Sequence, residues 1–126
     1  MLVMPPNSIH NIPTAEDIVE SHALIRSLVH ETPMMTCQSL DVIAGCQLYF
    51  KCENFQKVGA FKARGATFAL SELLKVDKKS IHVATHSSGN HAQALAWAAK
   101  RFNCKAIIVM PSNSPQVKKD AVKGYG

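Results

Sequence analysis

Hydrophobic and polar positions change their spacing several times along this chain, and each change predicts a new element. A proline-rich stretch at residues 5–13 has no apolar periodicity and is typical of an irregular arm. Thr14, three residues before Asp17, resembles a capping box with Asp in place of the usual Glu. We therefore expect a helix that begins after Thr14 and ends near His30. Its apolar residues recur at helical spacing, at Ile18, Ile25 and Leu28.

The middle of the chain predicts a strand followed by a second helix. The segment from Gln47 to Glu53 contains two adjacent aromatic residues, which favour a strand. Gly59 then separates the predicted strand from a helical pattern that follows it. The predicted apolar face of that helix consists of Phe61, Phe68, Leu70, Leu73 and Leu74.

Residues 81–110 have the order and length of a βαβ unit. Apolar and polar residues alternate from Ile81 to Thr85, and an alanine-rich helix is predicted from Ala92 to Lys100. A short apolar run of strand type follows at residues 106–110. Strands joined by a helical crossover pair in parallel. The chain is therefore predicted to be an α/β protein with a parallel sheet.

One more helix is predicted at the end of the sequence, from Pro115 to Lys123. Ser114 precedes a proline at the first helical position, which favours a capped start, and Gly124 favours the end of the helix. No strand follows this helix to complete the sheet. We expect the chain to be the N-terminal part of a longer protein, with a naturally short isoform as the alternative.

The composition of the chain excludes several classes of protein. A chain of 126 residues, 47% hydrophobic and 18% charged, fits one packed domain rather than two domains or a disordered tail. No stretch has the pattern of a secretory leader or the length of a membrane span, so we expect a cytoplasmic protein without membrane contacts. The cysteines lack the close spacing of a zinc site, and we expect no metal site in this chain. They are Cys37, Cys46, Cys52 and Cys104.

The net charge of +5, from 14 Lys and Arg against 9 Asp and Glu, raises the question of a nucleic-acid partner. The basic residues are scattered, and no zinc-finger or RRM-type motif accompanies them. We therefore expect no nucleic acid and regard a small anionic ligand as the better use of the charge. A nucleic-acid module would rest on charge alone and would bind random duplex with strong salt dependence.

Lys62 is the first candidate catalytic residue. It stands in the first turn of a predicted helix, next to Phe61. The positive end of the helix dipole and partial burial would both disfavour the ammonium form and make the amine more nucleophilic toward a carbonyl. A lysine at such a position is more often simply exposed to solvent. On these residues alone both interpretations stay open.

The turn from Ser87 to His91 is the second candidate, because it lies between a predicted parallel strand and a helix. Backbone N–H groups at that place can bind a carboxylate or phosphate. The side chains of Ser87, Ser88 and Asn90 offer further hydrogen bonds. The alternative is that Ser88 or Asn90 only caps the helix.

Two motifs, Lys51–Ala66 and His86–Leu95, together resemble a known family. From Ala15 to Gly126 the chain resembles fold-type II pyridoxal-phosphate enzymes of the serine racemase and serine/threonine dehydratase group. The resemblance implies an α/β, parallel-sheet, three-layer small domain that is truncated here. Residues 1–14 would form an N-terminal arm and residues 15–126 an incomplete N-terminal region that includes the small domain, without the rest of the large domain.

The same resemblance implies roles for single residues. Lys62 would form the Schiff base with pyridoxal 5'-phosphate, Phe61 would lie against the pyridine ring, and Asn90 would hydrogen-bond the 3'-oxygen. Lys62 would remove the α-proton and Ser88 would return one from the opposite face, which is racemisation. Loss of a β-hydroxyl after the same proton removal would be dehydration. The loop that holds the substrate carboxylate would consist of Ser87, Ser88, Asn90 and His91.

The resemblance therefore implies a serine racemase with associated serine/threonine dehydratase activity on small amino acids, homodimeric in its complete form. Threonine dehydratase and threo-3-hydroxyaspartate ammonia-lyase are the alternatives, and a non-catalytic short chain that pairs with a complete subunit is the alternative of another class. In the family, the phosphate-binding loop and the metal ligands lie later in the chain, so we expect these 126 residues alone to be inactive.

The complete protein would also respond to a divalent metal and to ATP, as the resemblance implies. Four residues match positions associated with the family's ATP site, and the alternative for the lysines among them is an ordinary solvated surface. They are Lys57, Gln93, Lys118 and Tyr125.

Overall fold

The computed structural model describes residues 12–76 and 81–126, so the predicted arm at residues 5–13 lies almost entirely outside the described residues. Two 3-10 turns, Glu53–Phe55 and Lys57–Gly59, lie between β2 and α3. In chain order the helices and strands are α1 (Ala15–Ile25), β1 (Met34–Met35), α2 (Gln38–Ala44), β2 (Phe50–Lys51), α3 (Lys62–Val76), β3 (His82–His86), α4 (Asn90–Arg101), β4 (Lys105–Val109) and α5 (Gln116–Gly124).

Helix α1 begins at the predicted capping box and ends earlier than predicted. The Asp17 N–H donates to Thr14 Oγ1 at 3.2 Å, and the Thr14 N–H donates to Asp17 Oδ2 at 2.8 Å. The predicted end near His30 is wrong, because the helix ends at Ile25. The backbone N–H and carbonyl of His30 bond to the Gln56 side chain at 2.9 and 2.8 Å, so they are engaged outside the helix.

The strand predicted from Gln47 to Glu53 is much shorter in the structure. Only β2 remains, and it pairs antiparallel with β1. The Leu48 N–H donates to Asp41 Oδ1 at 2.8 Å instead of to a neighbouring strand. Glu53 already belongs to a 3-10 turn. A side-chain hydrogen bond before β2 and a 3-10 turn after it therefore limit its length.

The βαβ prediction is confirmed. Strands β3 and β4 pair in parallel, from His82 opposite Lys105 to His86 opposite Val109, and α4 connects them. Helix α4 packs against both strands, and their inward residues, such as Val83 and Ile108, contact the core. The alternate residues of each strand face away from α4 and are exposed. The expected α/β fold with a parallel sheet is thus present.

The core lies between α3 and α4. Its buried residues come from both helices, and α3 contributes them at helical spacing. The predicted face of α3 is wrong in part: Leu70 is buried, but Phe61 is 59% exposed. Small residues bring α3 close to α4 in place of the predicted aromatic side chains. The buried residues of α3 are Ala63, Ala66, Thr67 and Leu70.

Helix α5 packs on α4, but its predicted cap is not formed. The residue at its N-cap position is Pro115, and no side chain caps it. Ser114 is buried instead, and its hydroxyl has no hydrogen-bond partner within the described part of the chain. Over the same residues no helix combines the length and the hydropathy needed to cross a membrane.

Candidate active site

A short irregular loop leads the chain into α3 and so places Lys62. Val58 and Gly59 both have left-handed backbone angles, with φ of 55° and 66°. The Gly59 N–H donates to the Gln56 carbonyl at 2.8 Å, and the Ala60 N–H donates to the Lys57 carbonyl at 3.4 Å. Glycine adopts a positive φ freely, whereas a β-branched valine does so at a cost. This tight bend ends immediately before the first turn of α3.

Gln56 fixes that loop to the segment that follows α1. Its side chain is 4% exposed. The Nε2 group donates to the His30 carbonyl at 2.8 Å, while Oε1 accepts from the N–H groups of His30 and Lys57 at 2.9 and 2.8 Å. A buried amide with its partners satisfied at both ends holds two backbone segments in a single arrangement.

A half-buried ion pair joins α3 to the same region. Arg64 donates from Nε to Glu53 Oε2 at 2.9 Å and from Nη2 to Glu53 Oε1 at 2.7 Å. The Thr32 hydroxyl also donates to Glu53 Oε1, at 2.5 Å. Hydrogen bonding from Arg64 holds the pKa of the Glu53 carboxyl below its usual range, and Glu53 in turn raises the pKa of Arg64. The pair is therefore ionised near neutral pH.

Lys62 lies in the first turn of α3 with its side chain exposed. Its Nζ is 5.0 Å from the centroid of the Phe61 ring, a distance at which a cation interacts with the face of an aromatic ring. The expected partial burial of this amine is wrong for the described residues. The structure therefore presents an accessible amine next to an exposed aromatic ring.

The turn from Ser87 to His91 joins β3 to α4, as predicted. The Ser87 N–H continues the sheet by donating to the Val109 carbonyl at 3.1 Å, and the Ser87 hydroxyl accepts from the Gly89 N–H at 3.3 Å. The N-cap position of α4 is Gly89, and no side chain caps the helix. The alternative that Ser88 or Asn90 serves as the cap is therefore wrong.

The start of α4 is chemically suited to an anion. Its first N–H groups have no partners within the helix and no side-chain cap. Lys118, on α5, brings its Nζ to 3.8 Å from the position that a Cβ on Gly89 would occupy. The side chains of Ser88, Asn90 and His91 are exposed around this place. Helix dipole, N–H groups and a lysine amine thus favour negative charge at the same point.

The two candidate segments border the same helix. The Lys57–Gly59 turn and α3 both pack against α4, whose start carries the Ser87–His91 turn. Within residues 12–76 and 81–126 no hydrogen bond joins Lys62 to this turn. The four residues matched to an ATP site also lie on α4 or beside it, because Lys118 and Tyr125 belong to α5 and its C-cap, Lys57 to the turn and Gln93 to α4.

Other features of the described residues lie away from these segments. An apolar groove of about 310 Å³ runs between α1 and α3, lined by Ile18, Ile25 and Phe68 among others, and Lys62 does not line it. Among the described residues no group of three His, Cys, Asp or Glu side chains could hold a metal ion.

The sequence motifs alone assign no role to Glu53, Gln56 or Arg64. All three occur in the Lys51–Ala66 motif, so their place in the same segment as Lys62 was visible in the sequence. Their partners were not, because His30 and Thr32 lie more than twenty residues away along the chain. The one available signal was the presence of several polar residues in the same motif as the candidate lysine.

Comparisons with known proteins agree on a single family. The family of pyridoxal-phosphate dependent enzymes matches residues 25–126. A serine racemase of Dictyostelium discoideum is 47% identical over 113 residues, which are 90% of this chain and 35% of the relative. An L-threo-3-hydroxyaspartate ammonia-lyase of Saccharomyces cerevisiae is 48% identical over 115 residues, 91% of this chain and 35% of the relative.

Solved structures give the same result. A pyridoxal 5'-phosphate-dependent aspartate racemase superposes with a TM-score of 0.84 at 46% identity, over 91% of this chain and 37% of that one. A serine racemase from Dictyostelium discoideum superposes with a TM-score of 0.79 at 45% identity, over 88% of this chain and 36% of that one. The chain therefore spans little more than a third of the length of these relatives.

Proposed function

The chain belongs to the family of pyridoxal-phosphate dependent enzymes, and on that premise we propose that the native protein is a serine racemase with associated serine/threonine dehydratase activity. The proposal is supported most directly by the 47% identity with a serine racemase over 90% of this chain. The Lys62 amine makes no hydrogen bond within the described residues and lies 5.0 Å from the Phe61 ring. No contact there prevents it from bonding to an aldehyde carbon.

Lys62, Phe61 and Asn90 are the residues of this chain that would hold the cofactor. When bound, pyridoxal phosphate supplies an electron-withdrawing ring that acidifies the α-proton of an amino acid. Lys62 would hold the cofactor through its aldehyde carbon. Once the substrate amino group has taken its place at that carbon, the released Nζ amine of Lys62 would accept the α-proton. Phe61 would provide an apolar surface for the ring, and the Asn90 amide would donate a hydrogen bond to its 3'-oxygen.

The start of α4 binds the substrate carboxylate. The N–H groups at this helix start have no side-chain cap, and the Ser87 and Ser88 hydroxyls, the Asn90 amide and the His91 ring would add hydrogen bonds to the carboxylate. Inversion at the α-carbon requires a second group that carries a proton, and the Ser88 hydroxyl supplies it. If the β-hydroxyl of the substrate instead takes up a proton and leaves as water, an enamino acid is released. Its imine tautomer is hydrolysed by water to a keto acid and ammonia.

Labelling of the lysine tests the proposal. We would incubate the native protein, at its full natural length, with pyridoxal 5'-phosphate, reduce it with borohydride and map the modified residue by mass spectrometry. The label is expected on Lys62 and should be lost in Lys62→Ala. Lys57→Ala, which removes a lysine from the same loop, should keep it. A label on any other residue would exclude Lys62 as the cofactor lysine.

The products formed from L-serine, L-threonine and threo-3-hydroxyaspartate separate the racemase from its alternatives. D-Serine as the main product supports the racemase. Keto acid alone would indicate threonine dehydratase or hydroxyaspartate ammonia-lyase, according to the substrate with the higher kcat/KM. No turnover and no label would favour the non-catalytic chain that pairs with a complete subunit.

Nucleotide binding is a further part of the proposal. Lys118 is the residue to test, because it lies on α5, which packs against the helix that carries Gln93. ATP should raise the activity of the native protein, and Lys118→Met should weaken that effect. The matched control is Lys119→Met, since Lys119 Nζ donates to the Ser112 carbonyl instead. Equal responses to ATP in the two variants would exclude this site.

Oligomeric state and metal dependence belong to the same proposal for the complete protein. We expect a homodimer and an activity that a divalent metal increases. Light scattering and an assay with and without a chelator measure the two properties directly. A monomer, or an activity that a chelator does not change, would contradict the corresponding part.

A further inference from the structure

We infer that the Glu53–Arg64 ion pair is a positioning device for Lys62: it fixes the rotation of the first turn of α3 and so the direction in which the lysine amine points. The inference rests on the proposed function, because it takes Lys62 as the cofactor lysine. It concerns two residues that touch neither cofactor nor substrate in that proposal.

The helical geometry of α3 couples the direction of Lys62 to that of Arg64. Successive residues turn by about 100° around a helix axis, so Lys62 and Arg64 point about 200° apart. The residues Ala63, Ala66, Thr67 and Leu70 are buried and form one face of the helix. Lys62 and Arg64 therefore flank that buried face on opposite sides. Any rotation of the first turn that moves Arg64 also moves Lys62.

The partners of Arg64 fix the orientation of its guanidinium group. Its guanidinium bonds to Glu53 through two nitrogens, at 2.9 and 2.7 Å, and Nη2 also lies 3.3 Å from the His30 carbonyl and 3.4 Å from Thr32 Oγ1. All of these partners lie outside α3. A planar, two-pronged contact fixes orientation as well as distance, which a single bond does not.

The first turn of α3 needs such a tie. Helix starts lack the full set of internal hydrogen bonds, and here the turn is closed by bonds between residues three apart, from Ala63 to Ala60 and from Arg64 to Phe61. The tight bend before it contains two residues with positive φ. Arg64 connects this turn to the segment at residues 30–32, across the bend.

The structure also contains a control pair of the same residue types. Arg26 and Glu31 form a salt bridge of 3.2 Å, but their side chains are 67% and 74% exposed, against 24% and 19% for Arg64 and Glu53. Exposed pairs contribute little and orient nothing. Arg26→Met therefore removes an arginine–glutamate pair without touching α3.

The experiment compares Arg64→Met, Arg64→Lys, Glu53→Gln and Arg26→Met in the native protein at its full natural length. The readouts are the rate at which borohydride-trapped cofactor appears on Lys62 and the visible circular dichroism per mole of bound cofactor, which reports the orientation of the ring. Neither readout depends on turnover. Because the labelling rate is taken per mole of folded protein and the spectrum per mole of bound cofactor, a general loss of stability changes neither readout.

We expect Arg64→Met to slow labelling of Lys62 by about ten- to a hundredfold and to change the circular dichroism, since a small misplacement of a reacting group has effects of that size. Arg64→Lys, which keeps the charge and loses the fork, should recover only part of the rate. Arg26→Met should match the parent. If Arg64→Met does not fold, Arg64→Lys decides, and a parental rate and spectrum in it would overturn the inference.

The two proposals can fail separately. Absence of any label on Lys62 in the parent protein would overturn the proposed function and the inference that rests on it. Labelling of Lys62 at the same rate in the parent and in the Arg64 variants would overturn only the positioning role. A double variant, Glu53→Gln with Arg64→Met, should be no slower than Arg64→Met alone, and additive losses would contradict the coupling of the pair.

Discussion

The Arg64 guanidinium and the Glu53 carboxylate meet in a two-pronged contact, with Nε to Oε2 at 2.9 Å and Nη2 to Oε1 at 2.7 Å. Arg64 lies in α3, and Glu53 lies in the first of the two 3-10 turns before it, Glu53–Phe55. Their side chains are largely shielded from solvent, so salt screens this pair less than it screens a pair on the surface. The contact ties the loop before α3 to the helix itself and has consequences for stability as well as for Lys62.

The stability of the protein should therefore depend on pH through Glu53. Arg64 lowers the pKa of Glu53 in the folded state, so the pair stabilises the fold at pH values above the ordinary glutamate pKa. That contribution is lost as the pH falls through the lowered pKa. Denaturant titrations of the parent and of Glu53→Gln should give free energies of unfolding that differ at pH 7 and converge in acid. Glu31→Gln, in the exposed pair, is the control, and a constant difference for Glu53→Gln would contradict the prediction.

Leu70→Ala should be among the most destabilising single changes. Leu70 is 1% exposed and lies in the core between α3 and α4. Truncation of a buried leucine leaves a cavity and costs about 2–5 kcal/mol. Chemical denaturation measures this directly. Leu24→Ala removes the same atoms from a residue that is 53% exposed and should change the free energy of unfolding by about 0.5 kcal/mol or less.

Ser114→Ala should stabilise the protein. The Ser114 hydroxyl is buried without a partner in the described part of the chain, and an unsatisfied hydroxyl is unfavourable in the folded state. Its removal should raise the free energy of unfolding by about 1 kcal/mol. Ser112→Ala, at an exposed position in the same loop, should have almost no effect. A loss of stability in Ser114→Ala would mean that the hydroxyl has a partner after all.

Two glycines form a matched test of backbone conformation. An added Cβ would have no atom within 4 Å at either Gly65 or Gly45, but only Gly45 has a left-handed backbone, with φ of 68°. Gly65→Ala should stabilise α3 by about 0.5–1 kcal/mol, because alanine is the better helix former. Gly45→Ala should destabilise the end of α2 by about 1–2 kcal/mol. Thermal and denaturant unfolding would reveal the opposite signs, and equal signs would contradict the argument.

The parts of the fold that depend on local pattern could be predicted from the sequence. The capping box at Thr14, the alternation in β3 and the alanine-rich α4 all carry their signal within a few residues. The end of α1 was not predicted, because the segment after it is held through His30 by Gln56, 26 residues away along the chain. The length of β2 depends in the same way on Asp41, which takes the Leu48 N–H.

In the candidate site too, features that depend on local sequence could be predicted, and features that depend on tertiary packing could not. The sequence motifs were sufficient to single out Lys62 and the turn at residues 87–91, because each stands at a predicted helix start. The exposure of Phe61 could not be predicted, since small residues of α3 form its contact with α4. The approach of Lys118 to Gly89 depends on how α5 packs against α4, which no local pattern encodes.

The buried alanines of helix α4 limit the substitutions that this helix can accept during evolution. Alanines supply five of its six buried positions, and α3, α5, β3 and β4 all pack against this one helix. Alanine has almost no side-chain volume to lose, so nearly every substitution at these positions adds atoms to a filled space, at about 1–3 kcal/mol each. Random mutation can therefore move these sites in only one direction, toward larger residues, and selection should remove most of those changes. We expect this interior face to vary less among descendants of the gene than the exposed Lys100 and Arg101 at the end of the same helix.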